Sequence, residues 1–164
     1  MVWQTEGVAR KGKGEDMESK EIRVFRGEYE FLSNFFEIPI EYNGLYYLNS
    51  EAAFQAQKCC SEEEKLTFMT CAASKAKRKG RQVVLRPDWE NVKLQLMEEI
   101  VRAKFCQNPG LAAKLLATGD RVLIEGNTWH DMFWGVDLNS GKGENHLGRI
   151  LMKVRMELAN CEET

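Results

Sequence analysis

Hydrophobic and polar positions follow two different rhythms along this chain, and the change comes near residue 50. Before it, short apolar runs are broken by turn residues. Residues 22–25 read as a first short strand, Gly27 and Glu28 turn the chain, and 29–36 is dense in aromatics. Runs at 38–40 and 45–48 flank Tyr42-Asn43-Gly44, and Asn-Gly between apolar runs is the strongest short hairpin signal. From residue 50 the spacing becomes helical. Ser50 reads as an N-cap, with Ala52, Ala53, Phe54 and Ala56 favouring a helix behind it. Ser61-Glu62-Glu63-Glu64 has the form of a capping box and predicts a helix to about Cys71. Residues 75–86 predict a basic helix followed by a short strand. Pro87-Asp88-Trp89 opens the longest helix, with Asp88 as its cap. Val92, Leu96, Ile100 and Ala103 form one apolar ridge of it, and Met97, Val101 and Phe105 a second. Asn108-Pro109 ends that helix and starts another, with proline in its first turn. Leu111, Leu115 and Leu116 pack that helix, and Thr118-Gly119-Asp120 closes it. A short buried strand at 122–124 leads into a loop over 125–143. Leu147, Ile150, Leu151, Val154 and Leu158 mark a closing amphipathic helix. The sum is an α+β fold: a mainly helical single domain over 21–160 with a small antiparallel sheet supplied by the first third. Residues 1–20 are polar and without periodicity, and read as a disordered leader.

Composition narrows the class. A chain of 164 residues with 43% hydrophobic content is one domain with enough apolar surface for a core, and no apolar run approaches a membrane span. A formal charge of -2 argues against a general nucleic-acid coat protein while leaving room for a local basic patch. The five cysteines contain no C-x-x-C pair and no signal-peptide pattern opens the sequence, so reduced thiols and a cytoplasmic location are expected. His130 and His146 are the only histidines, so no metal site is expected. There is also no P-loop, dinucleotide fingerprint or G-x-S-x-G elbow, and no cofactor is expected.

Four stretches carry candidate chemistry. Glu51, Gln55 and Lys58 fall at i, i+4 and i+7, which puts an acid, an amide and an amine on one face of an otherwise apolar helix. The competing reading is an ordinary solvated face. Residues 75–86 (KAKRKGRQVVLR) hold six basic residues and no acid, suited to phosphates or to plain solvation. Residues 125–143 gather Glu125, Asp131, Phe133 and two tryptophans among glycines. That composition suits a flat ring held between side chains, or tryptophans that merely anchor a loop. In FLSNFF at 31–36, Ser33 and Asn34 interrupt the aromatics, either as a turn or as ligand contacts.

Taken together these pieces resemble the NADAR family of YbiA-like domains. The matching segments are FLSNFF, the Gly44 hairpin, SEAAFQAQK at 50–58, Trp89 and KFCQNPGL at 104–111. LLATGDRVLIE at 115–125, DMFWG at 131–135 and GENHLGRILMKVR at 143–155 continue the match. The resemblance implies N-glycosidase chemistry on ribosides. The substrates it implies are phosphorylated ribosylaminopyrimidine intermediates of riboflavin biosynthesis, or ADP-ribose attached to guanine in nucleic acid. Both reactions break a C1′–N bond, whose sugar carbon becomes oxocarbenium-like and welcomes a nearby carboxylate. On this reading Glu51 stabilises the cationic sugar or acts as general base. Lys58 contacts a phosphate or attacks C1′ to form a Schiff base, and Asp131 is a further acid, with Glu125 beside it. Trp89 and Trp134, next to Gly135, would sandwich the base, Asn34 and Asn145 would hydrogen-bond base or ribose, and the basic run would hold phosphates. Two alternatives stand beside the enzyme: a module that binds ADP-ribose or a related nucleotide without cleaving it, and a nucleic-acid-binding protein resting on the basic run alone.

Overall fold

In the computed structural model residues 19–163 are described; the leader expected over 1–20 lies outside them but for its last two residues. The hairpin forms where the Asn-Gly signal places it. β2 (Glu37–Tyr42) and β3 (Leu45–Asn49) pair antiparallel, with Ile40 opposite Tyr47 and Tyr42 opposite Leu45. Asn43 and Gly44 both take positive φ, 50° and 82°, as a two-residue turn matching the strand twist requires. The register slips between Glu37 and Ile40, where Pro39 removes a ladder donor. Two further strand pairs complete the β content. β1 (Glu21–Ile22) runs parallel to β4 (Val122–Leu123), and β5 (Gly126–Asn127) parallel to β6 (Val136–Asp137). The fold is α+β as expected. Of the three strand pairs among the described residues, only the hairpin is antiparallel.

The hairpin feeds α1 (Ser50–Ala56), every residue of which is buried. Its cap is Asn49, not Ser50. Asn49 is the last strand residue and keeps an extended backbone, so its Oδ1 can accept from Ala52 N at 2.7 Å. Its Nδ2 donates to the Cys71 carbonyl and the Glu37 carboxylate, which ties the strand end to the chain beyond α2. Ser50 is already helical, and its buried hydroxyl has no hydrogen-bond partner among the described residues. α2 (Glu62–Leu66) is shorter than expected. Ser61 Oγ does accept from Glu64 N, but the Glu64 carboxylate turns back to Cys60 N, and beyond Leu66 the bonds tighten to i→i+3 turns that end at Cys71.

α3 (Ala73–Gly80) carries the basic run, and the strand expected after it does not form: 81–88 crosses as irregular chain, held by Arg86 N donating to Lys58 O at 2.9 Å. Asp88 sits at the cap position of α4 (Trp89–Gln107) without capping it, because its carboxylate is engaged by Arg86 at 2.6 and 2.9 Å. On α4 the buried stripe is Met97, Ile100, Val101 and Phe105, flanked by half-buried Val92, Leu96 and Ala103, so the two ridges together make the one wide core face their spacing predicts. α5 (Pro109–Ala117) starts on its proline and ends at Thr118, where Gly119 turns the chain at φ +65°. α6 (His146–Glu162) packs on α4, α5 and β4. α1 is enclosed by the hairpin, α3 and α4, so a residue pointing off its remaining face opens into whatever the 125–137 region leaves free.

Candidate active site

That free space is a cavity of about 330 Å³. Five parts of the chain supply most of its lining. The turn after the 3-10 helix Gly27–Leu32 contributes Ser33, Asn34 and Phe35; α1 and the residues after it contribute Glu51, Phe54, Gln55 and Lys58. α3 and its exit bring Lys77 and Arg81, and α4 presents Trp89, Lys93 and Met97 from one stripe at four-residue spacing. The 125–134 region closes the space with Glu125, Trp129, Asp131 and Trp134. Glu51, Gln55 and Lys58 do share a face, though α1 ends at Ala56 and Lys58 enters from a turn, its N–H on Gln55 O.

Each acid has its own surroundings. Glu51 is only 7% exposed, and its Oε1 accepts from Gln55 Nε2 at 2.8 Å. Burial pushes its carboxyl above the usual carboxylate range, opposed by that hydrogen bond and by the Lys77 and Lys58 ammonium groups. Glu125 is pushed up to about 7, chiefly by burial and further by the charges of Asp131 and Glu51, against the pull of its hydrogen bond from Asn127 and of Lys77. Its Oε2 accepts from Asn127 Nδ2 at 3.2 Å. Asp131 is spent differently: its Oδ1 accepts from the backbone N–H groups of Phe133 and Trp134, at 3.1 and 2.9 Å, and so shapes the turn that delivers Trp134. Burial lowers the Lys58 amine below its ordinary value, Glu51 raises it, and Arg81, Lys77 and Lys93 lower it again. Its Nζ lies 5.6 Å from the centre of the Trp89 ring.

The aromatic walls differ from the expected sandwich. Phe54 touches both indoles, tilted to Trp89 at 5.1 Å and edge-on to Trp134 at 5.3 Å, so the tryptophans reach the cavity as parts of one cluster built on a third ring. At the mouth stand Phe35, 41% exposed, and Trp129, 52% exposed, with Lys77 Nζ 5.6 and 5.5 Å from their ring centres.

Of the residues singled out from sequence, Glu51, Lys58, Asp131, Asn34, Trp89, Glu125 and Trp134 all line the cavity. Asn34 is buried. Its carbonyl accepts from Glu51 N at 3.1 Å, and its Nδ2 donates to Met97 Sδ at 3.2 Å. Gly135 and Asn145 stand behind the lining, against Glu125. A Cβ on Gly135 would fall 1.9 Å from Glu125 Oε2 and 2.0 Å from its carbonyl, so glycine is what lets the two backbones approach. Asn145, in the left-handed region at φ 54°, accepts from Glu125 N at 3.0 Å and donates to Leu123 O at 2.9 Å; its amide is occupied by backbone. The basic run contributes two members, Lys77 and Arg81, while Lys79 is drawn off to the Thr67 carbonyl and the Phe68 ring. Missed from sequence were Phe54, Lys93 and Arg26, while the mouth rings Phe35 and Trp129 lie in stretches that were marked without being singled out themselves. Lys93 was findable, one turn on from Trp89; nothing local marks Arg26. No cluster of metal-ligating side chains occurs among the described residues, and no helix among them is long and apolar enough to cross a membrane.

Comparison with known proteins identifies the family. The model of the NADAR domain matches residues 22–159. N-glycosidase YbiA of Escherichia coli is 42% identical over 135 residues, covering 80% of this chain and 83% of that protein. A Nostoc punctiforme N-glycosidase is 37% identical over 138 residues, 80% of this chain and 87% of its own length. A riboflavin biosynthesis protein of Vibrio vulnificus is 42% identical over 131 residues, which make up 78% of this chain but 35% of the longer protein. The NMR structure of E. coli YbiA superposes with a TM-score of 0.78 at 37% identity, covering 88% of this chain and 89% of that one. The enzyme class expected from the sequence is the one these relatives' names carry, and the chain belongs to the NADAR domain family.

Proposed function

We propose that this chain is an N-glycosidase hydrolysing the C1′–N bond of a phosphorylated riboside, with Glu51, Glu125, Asp131 and Lys58 around the reacting carbon. The observation that carries the reading is the charge arrangement of one cavity: three carboxyl groups and a burial-weakened amine, with Lys77, Arg81, Lys93 and Arg26 beside them. Glu51 stabilises positive charge as the sugar carbon turns oxocarbenium-like, a task that needs the ionised form its hydrogen bond from Gln55 favours. Glu125 holds a proton near neutrality and donates it to the departing base nitrogen, which takes the electron pair of the broken C1′–N bond. Water then adds to C1′ and gives up its proton to a carboxylate, Glu51 or the emptied Glu125. The lowered pKa of Lys58 favours a second route. In it the neutral amine attacks C1′ as the base leaves. The ring oxygen then departs as an alcohol to give a protonated Schiff base, which water hydrolyses back to amine and sugar. Phe54, Trp89 and Trp134 would contact the base. Lys77 and Arg81 would hold phosphate, and Asn34 would hydrogen-bond the ribose or base.

The substrates that follow are those the family resemblance implies: a phosphorylated ribosylaminopyrimidine intermediate of riboflavin biosynthesis, supported by the V. vulnificus relative being a riboflavin biosynthesis protein, or ADP-ribosylated guanine in nucleic acid. The location in keeping with either is cytoplasmic. A mass-spectrometric turnover screen tests both, offering ribosylaminopyrimidine phosphates, ADP-ribosylated guanosine and DNA, and NAD. Release of a free base from one of them fixes the substrate class. Borohydride added during turnover leaves a sugar adduct on Lys58 if the Schiff-base route runs, and none if water attacks directly. If every compound survives intact while ADP-ribose still binds, the protein is a recognition module.

A further inference from the structure

Lys104 is a buried cation that the chemistry above does not use. It lies on α4, 1% exposed, among Phe31, Phe36 and Phe105, with its Nζ 5.7 and 5.3 Å from the Phe36 and Phe105 ring centres. Its hydrogen-bond acceptors are two carbonyls, Phe31 O at 2.6 Å and Ser33 O at 2.9 Å. No ion pair to an acid occurs at its Nζ among the described residues. An ammonium buried without an acid is a costly way to fill a core, so its value lies in what it holds.

What it holds is the end of the 3-10 helix and the turn that follows. Those carbonyls come after the last helical bonds and face the core, where the Phe31 carbonyl would otherwise be an orphan acceptor. The same turn sends Ser33, Asn34 and Phe35 to the cavity, and the Asn34 carbonyl receives the Glu51 N–H in the first turn of α1. Seven residues earlier on α4, Met97 Sδ takes the Asn34 amide. Two points of one long helix therefore grip the turn, and the turn grips the helix start that carries Glu51.

We propose that Lys104 is a positioning residue for the reaction, acting through the 33–35 turn on Asn34 and Glu51. It touches no reacting atom. The activity half of its test rests on the N-glycosidase reading; the exchange half does not.

The experiment compares K104M and K104R with V154A, a buried truncation on α6 that does not line the cavity. Turnover of the substrate found by the screen is measured together with amide hydrogen exchange at Phe36 and Glu51. K104M should lower kcat/KM by about 10²-fold, the scale of a misplaced site, and speed Glu51 amide exchange. V154A should leave kcat/KM within about twofold, since Val154 is not part of the cavity wall. K104R, which keeps the cation and its donors, should restore Glu51 protection relative to K104M. Equal kcat/KM and equal Glu51 protection in K104M and V154A would overturn the proposal. Wild-type protein supplies a reading that needs no variant to fold: the Phe36 and Glu51 amides should exchange only with global unfolding. Exchange of these amides through an easy local opening overturns the clamp. A wild type without turnover but with the clamp intact counts against the glycosidase reading alone.

Discussion

Two sets of charges flank the long helix α4, one toward α6 and one around the cavity, and they are treated in opposite ways. On the side facing α6, Arg102 meets Glu98 at 2.7 Å and Glu157 at 2.8 Å, and Lys153 reaches Glu98 at 2.7 Å. Every charge there has a partner of opposite sign and keeps contact with water. On the cavity side, Glu51 and Glu125 are pushed up by burial and Lys58 is pushed down, and none has an ion pair within reach among the described residues. Folding alone would favour the first treatment, because desolvating a charge without compensation opposes stability. Keeping the second set therefore points to chemistry, where a displaced pKa is useful.

The sharpest way to break this contrast is Glu51→Gln. The substitution keeps the shape and the contact with Gln55 but removes the charge that would face a cationic sugar. Turnover should fall by roughly 10²–10⁴-fold, while the thermal midpoint stays level or rises as an awkward buried acid disappears. Normal turnover in the variant would end the catalytic role of Glu51 and leave the cavity's acids as structural oddities.

How far this site was legible in the sequence depends on the length scale of each signal. Glu51 and Lys58 were visible because helical spacing is local, and Asn43-Gly44 because a turn is more local still. Asn49 and Ser50 are adjacent good caps, and only the strand's last extended residue, fixed by pairing with Glu37, decides between them. Asp131 and Trp134 were found as a loop rich in the right side chains. Their neighbours Gly135 and Asn145 were placed in the binding site because composition shows chemistry without showing direction. The Asn145 amide is spent on Leu123 and Glu125 across a gap of some twenty residues, which no local pattern encodes. Lys104 was invisible for the same reason: it reads as a polar position on a helix, and its carbonyl acceptors lie far back in the chain.

A second test uses pH, since Glu125 and Lys104 both sit near 7. If Glu125 must carry a proton to release the base, kcat/KM should fall as pH rises through about 7. Glu125→Gln, which cannot ionise, should lose that limb along with about 10²-fold in rate. Stability should follow two opposed slopes. The folded carboxyl of Glu125 titrates above its unfolded value of about 4.3, so its contribution is full below that value and is lost as pH rises through about 7. The folded amine of Lys104 titrates below its unfolded value of about 10.4, so its contribution is full above that value and is lost as pH falls through about 7. Denaturant midpoints against pH should thus show a shallow trough near neutrality. Glu125→Gln should flatten its acid side and Lys104→Met its alkaline side. A trough unchanged in both variants would mean that neither group is perturbed by burial.

The smallest effect belongs to the paired side of the helix. Arg102→Ala removes contacts to Glu98 and Glu157 in a network whose members are a quarter to a half exposed. Exposed pairs gain little Coulomb energy in water and lose side-chain entropy to form, so the expected loss is about 1 kcal/mol or less, and smaller still at high salt. Turnover should not change, because the network joins α4 to α6 without reaching the cavity. A large fall in turnover with little loss of stability would put the two sides of α4 in communication. Unpaired burial would then no longer separate the charges that do chemistry from those that hold helices together.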